Sequence, residues 1–181
     1  MHDDVEKVLI DEEVIERRLD VLSARILEEF SGREFVVVVI LKGALVFTAD
    51  LLRRMPIPLE IECINVASYH GATESSGQVD FLDAKLPAVE GRSVLLVDDI
   101  LDTGRTLAAV GEKLREQGAE VVKSCVLLSK DKERDAEVDA DHVGFYIGDE
   151  FVVGYGLDFR GLYRNLPFIG VLKQEVIKDG R

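Results

Sequence analysis

Residues 35–41 read FVVVVIL, seven apolar side chains in unbroken succession and five of them β-branched. A strand with one wet face alternates apolar and polar residues. A run like this one is apolar on both faces, as in a buried strand of a parallel sheet. Ser93 to Val97 reads as another buried strand, and Val121 to Leu128 as a further strand. Between the apolar runs lie helical patterns. Residues 11 to about 30 carry Ile15, Leu19, Leu22, Ile26 and Phe30 at helical spacing, and Ser31-Gly32 stops them. Ala44 to Arg54 reads as a second helix, ended by Met55-Pro-Ile-Pro. Arg105 to Gln117 reads as a third, with Gly118 past its end. Leu59 to Ala67, Val79 to Leu82, Val143 to Tyr146, Phe151-Val-Val and Pro167 to Leu172 read as further strands or short extended pieces, before a charged C-terminal stub. Strands alternating with helices specify an α/β fold with a mostly parallel central sheet flanked by helices. The length of 181 residues suits one domain with a full core, and no repeat or linker interrupts it.

The charge narrows the partners. A net charge of -13 argues against nucleic acid, whose phosphates need clustered Lys and Arg. The longest apolar run is too short to cross a membrane, and no secretory leader pattern precedes Val5. The two cysteines, Cys63 and Cys125, sit inside apolar runs without metal-ligand spacing and read as buried free thiols. A cytoplasmic protein is expected.

The chemistry concentrates in VLLVDDILDTGRT, residues 94–106. Four apolar residues run into the carboxylates Asp98 and Asp99, a third acid follows at Asp102, and Thr103-Gly104-Arg105-Thr106 opens the next helix. In open α/β sheets ligands bind at the carboxyl ends of strands. Gly104 permits a tight turn, and the free N–H groups of the helix start, with the hydroxyls of Thr103 and Thr106, form a cradle for a phosphate monoester. Two carboxylates cannot bind phosphate. They can accept hydrogen bonds from a sugar diol or hold Mg²⁺ through water. Phosphate on one side and diol on the other describes a ribose 5-phosphate. A helix cap beside a solvated loop explains any one of these residues alone, but not the string.

This string resembles the phosphoribosyl-pyrophosphate signature of the type I phosphoribosyltransferases, and four further segments resemble the hypoxanthine-guanine members. They are VLIDEEVIERRLDVLSARI, ILKGALVFTADL, SYHGATESSG and FVVGYGLDFRGLYRNLPFIGVL. The resemblance implies a type I phosphoribosyltransferase fold over residues 1–181, with a small purine-binding hood built from the N- and C-terminal segments. It implies Mg²⁺-dependent transfer of a phosphoribosyl group from 5-phosphoribosyl 1-pyrophosphate to a 6-oxopurine, giving IMP or GMP, by an enzyme of purine salvage that works as a homodimer or homotetramer.

Residue roles follow from the same resemblance. Asp98 and Asp99 match the ribose and metal acids, Asp102 a general acid/base facing purine N7, and Thr103, Gly104, Arg105 and Thr106 the 5′-phosphate loop. Lys42 and Gly43 match the pyrophosphate loop, where the family has a non-proline cis bond before the Lys; Arg164 matches a second pyrophosphate contact. Asp158 matches a metal ligand near the purine, Phe151 the ring stacked on the base, and Val152 its backbone contacts. Lys130 matches the donor to purine O6, with Lys132 as the alternative. An ammonium can only donate, so it suits a 6-oxo group and not the 6-amino group of adenine. Ser68 and Tyr69 match a lid that excludes water. The family usually has Glu-Asp where this chain has Asp98-Asp99. His2, His70 and His142 match no catalytic position and read as surface or loop residues, while Tyr155, Tyr163 and Phe168 read as core. Two alternatives remain: a xanthine-preferring relative, and an RNA-binding attenuator of the same fold. The acidic charge, Asp102 and the FVVGYGLD segment argue against the latter.

Overall fold

The computed structural model describes residues 2–68, 79–83 and 86–179. Its central sheet has six strands: β2 (Phe35–Leu41), β3 (Glu60–Ser68), β4 (Val79–Phe81), β5 (Ser93–Leu101), β6 (Val121–Lys130) and β7 (His142–Ile147). Their spatial order is β4-β3-β2-β5-β6-β7, and every neighbouring pair is parallel except β3 with β4. The double-faced apolar run is accounted for: Val36, Val38 and Ile40 of β2 enter one core, and Val37 and Val39 the other.

The helices divide accordingly. α1 (Glu12–Glu29) and α2 (Ala44–Leu52) cover one face through Ile15, Leu19, Phe47 and Leu51, while α3 (Arg105–Glu116) covers the other through Leu107, Val110 and Leu114. Asp11 caps α1, its carboxylate accepting from Val14 N at 2.9 Å. No helix among the described residues is long and apolar enough to cross a membrane.

The two chain ends meet in a second sheet, where β9 (Ile169–Leu172) lies between β1 (Val5–Ile10) and β8 (Val152–Val153), all antiparallel. β1 and the terminal helix α4 (Gln174–Asp179) carry too weak a local pattern to be read from sequence.

Three expectations need correction. Asp98 and Asp99 lie inside the last turns of pairing in β5, which continues to Leu101 instead of ending at Val97. Cys125 is buried, but Cys63 is exposed, on the wall of an open groove between β3 and α2 that Leu45, Thr48, Ala49 and Leu52 also line. His142 is a strand residue of β7 whose side chain is 9% exposed and meets Glu29 at 2.6 Å. Tyr155, Tyr163 and Phe168 are buried, as expected.

Candidate active site

β2 and β5 are adjacent, yet the helices that follow them leave on opposite faces and the chain then moves outward in opposite directions, to β3 and to β6. The carboxyl ends of such a strand pair open a crevice. Here it is a cleft of about 480 Å³. Its wall contains Lys42 and Gly43 from the end of β2, and Asp98, Asp99, Asp102, Thr103, Gly104 and Thr106 from the β5–α3 segment. Asp158 and Arg164 come from the loop before β9. The DTGRT turn has the expected form: Gly104 stands before α3 at φ +81°, and Thr103 Oγ1 accepts from Arg105 N at 3.5 Å.

The cleft floor is acidic, with Asp98 buried and Asp99 half-buried. Burial pushes Asp98 well above the usual carboxylate range, and the neighbouring charge of Asp99 adds to the effect; burial also raises Asp99. Their backbone supplies part of the compensation, with Asp99 N donating to Asp98 Oδ1 at 2.9 Å and Ile100 N to Asp99 Oδ1 at 2.7 Å. Carboxylates left this way accommodate a diol or a hard cation. The Leu41–Lys42 peptide that faces them is cis. Gly43 comes so close that an added Cβ would lie 1.5 Å from Asp99 Oδ2.

Three or more His, Cys, Asp or Glu side chains gather nowhere among the described residues in a group able to hold a metal ion. Asp158 does not join Asp98 and Asp99 in such a group. Its Oδ1 pairs with Arg164 Nη2 at 2.6 Å and its Oδ2 accepts from Gly161 N at 2.6 Å. Arg164 also donates to Gly156 O at 2.6 Å. Gly156, at φ +104°, sits against the cleft loop in turn, since a Cβ there would lie 2.1 Å from Gly43 O.

Four expected residues lie off the cleft wall. Lys130 ends β6 and is nearly buried, its ammonium 3.4 Å from Asp102 and 3.1 Å from Asp149. Arg105 pairs with Asp135 at 2.9 Å. Phe151 is 42% exposed, and Val152 is buried in β8. Ser68 closes β3, and Tyr69 lies outside the described residues.

Sequence reasoning missed two neighbours, Phe159 and Asp149. Phe159 meets Phe151 edge-on, ring centres 5.6 Å apart. Asp149 joins Lys130 to Lys132, and Lys132 itself is in ion-pair contact with Asp102. An aromatic next to Asp158 was a usable signal for Phe159; nothing local marked Asp149.

The phosphoribosyl transferase domain family matches residues 9–160. The chain is 46% identical over 176 residues to the hypoxanthine-guanine phosphoribosyltransferase of Staphylococcus epidermidis, covering 97% of this chain and 98% of that one. It is 44% identical over 179 residues to the bifunctional protein TilS/HprT of Listeria monocytogenes, covering 99% of this chain but only 28% of that longer protein. A crystal structure of a hypoxanthine phosphoribosyltransferase from Staphylococcus aureus superposes with a TM-score of 0.91 at 44% identity, over 97% of this chain and 96% of that one. The chain therefore belongs to the hypoxanthine-guanine phosphoribosyltransferase family.

Proposed function

We propose that this protein transfers the 5-phosphoribosyl group from 5-phosphoribosyl 1-pyrophosphate to hypoxanthine or guanine, forming IMP or GMP and releasing pyrophosphate. The observation that supports the reading is the gathering in one cleft of Asp98, Asp99 and the Asp102–Thr106 turn at the start of α3, with Lys130 3.4 Å from Asp102. In it Thr103, Gly104, Arg105 and Thr106 take the 5′-phosphate on the start of α3. Asp98 and Asp99 accept from the ribose hydroxyls. Lys42, Gly43 and Arg164 meet the pyrophosphate, with Arg164 leaving Asp158 for the more highly charged partner. Lys130 donates to purine O6, Asp102 holds or takes the proton at N7, and Phe151 with Val152 flanks the base. Ser68 and Tyr69 belong to the lid.

Mg²⁺ fits the hard oxygens of Asp98 and Asp99, with substrate oxygens and water as its other ligands. When bound, it neutralises the charge on the departing pyrophosphate. The carboxylates of Asp98 and Asp99 lie where they can stabilise the positive charge that develops at the ribosyl centre as the glycosidic bond breaks. The reading carries with it a cytoplasmic homodimer or homotetramer, to be sized by light scattering.

The test is nucleotide formation from phosphoribosyl pyrophosphate and Mg²⁺ with hypoxanthine, guanine, xanthine and adenine offered separately. Conversion of hypoxanthine and guanine but not adenine is expected. Preference for xanthine would reassign the substrate, and no conversion by folded protein would overturn the reading.

A further inference from the structure

The structure surrounds Asp102 with more charge than the proposed reaction needs. The Lys132 ammonium is in ion-pair contact with Asp102, and lies 3.2 Å from Asp149. Lys130 lies 3.4 Å from Asp102 and 3.1 Å from Asp149. Two ammonium groups and two carboxylates thus alternate around one closed circuit of net charge zero. Lys132 is no freely solvated member of a charged run: its side chain is 29% exposed, and its bond to Asp102 holds its proton more tightly than usual. The segment carrying it is anchored at both ends, by Asp131 N to Ile147 O at 2.9 Å and by Asp135 N to Thr103 O at 3.0 Å.

We infer that Lys132 is a positioning residue of the base site, which neutralises Asp102 and Asp149 so that the Lys130 ammonium stays available to the 6-oxo group of the incoming purine. The inference rests on the proposed function. Lys130 has three N–H protons and no accepting capacity. With Lys132 present, each carboxylate has a second cation, and Lys130 can turn a proton toward a neutral carbonyl at little cost. Without Lys132, two carboxylates compete for one ammonium. The circuit carries a net charge of -1, Lys130 is held by charges stronger than any carbonyl dipole, and the uncompensated charge repels the lone pairs of O6. The base is then bound less well. The ribose and phosphate side of the cleft relies on Asp98, Asp99 and the Thr103–Thr106 turn and is affected less.

The test uses Lys132→Met, Lys132→Arg and the double variant Lys132→Met/Asp149→Asn, with KM measured separately for hypoxanthine and for phosphoribosyl pyrophosphate. Lys132→Met is expected to raise KM for hypoxanthine at least about five-fold, while KM for phosphoribosyl pyrophosphate stays within about two-fold. Lys132→Arg, and the double variant that restores neutrality, are expected within about two-fold of wild type for both substrates. A merely structural lysine does not give a loss confined to one substrate and cured by deleting a charge elsewhere. If Lys132→Met does not fold, Lys132→Gln takes its place. An unchanged KM for hypoxanthine in Lys132→Met, or a loss that Asp149→Asn does not relieve, overturns the inference. Wild-type protein that converts no base overturns the proposed function instead.

Discussion

Replacing Gly43 by Ala tests how tightly the cleft is built. The new Cβ would lie 1.5 Å from Asp99 Oδ2, 2.4 Å from its Cγ and 3.2 Å from its Cβ. Something must move by more than an ångström, and Asp99 cannot retreat freely. Its backbone is held in β5, where Asp98 and Ile100 on either side pair with β6, and its Oδ1 accepts from Ile100 N at 2.7 Å. Swinging the carboxylate away loses that buried charge-assisted bond, at about 1–3 kcal/mol. It also leaves the side chain off its rotamer, at about 0.5–1.5 kcal/mol. A loss of roughly 2–4 kcal/mol lowers the melting temperature by roughly 5–15 °C for a chain of this size. Because Asp99 or the Lys42–Gly43 loop is displaced from the substrate, kcat/KM for phosphoribosyl pyrophosphate should fall by at least ~10²-fold. Thermal unfolding by circular dichroism and steady-state kinetics read both quantities. A variant melting within about 2 °C of wild type with kcat/KM within about three-fold would show that the close approach is not needed.

Asp102→Asn should depress turnover by ~10²–10⁴-fold with a much smaller change in substrate binding, read by kcat against KM, because the amide cannot take the N7 proton. Leu127→Ala, at a fully buried position of β6, should cost about 2–5 kcal/mol in urea unfolding. Acid should weaken the fold through the cluster joining α1, β6 and β7. The hydrogen bond from Lys123 holds Glu29 below its ordinary value. At Asp141 burial pulls upward, but bonds from Lys123 and Ser124 outweigh it. Groups lowered in the folded state bind protons first in the unfolded chain. Their stabilisation is present above the ordinary carboxylate range and is lost as pH falls through it. The urea midpoint should therefore drop between pH 7 and pH 3 by less in Lys123→Met than in wild type.

The features legible in sequence were those with a local signature. β2, β5 and β6 announce themselves because burial on both faces demands continuous apolar runs, and the acids after Val97 stand out against that background. β1 does not, since Glu6 and Lys7 interrupt VEKVLI and its partner, β9, is supplied by the other end of the chain, pairing Val5 with Leu172. The exposure of Cys63 reflects an open groove between β3 and α2, which no strand pattern records. The same holds in the cleft. DTGRT is contiguous and readable, but Asp102, Lys132 and Asp149 are brought together by three separate strand ends. The pairing of Asp158 with Arg164 depends on a loop in which Tyr155, Arg160 and Tyr163 take positive φ, a conformation that their residue types do not advertise.

The contact of Gly156 with the Gly43 carbonyl joins the hood loop to the cleft loop through bare main chain. No rotamer stands between them, so the gap they set behaves as a fixed caliper instead of an adjustable one. Side chains elsewhere on the hood can change and repack while this main-chain approach stays the same. A side chain at Gly156 would be driven into the Gly43 carbonyl and open the caliper itself, whereas one at Gly43 is aimed at Asp99.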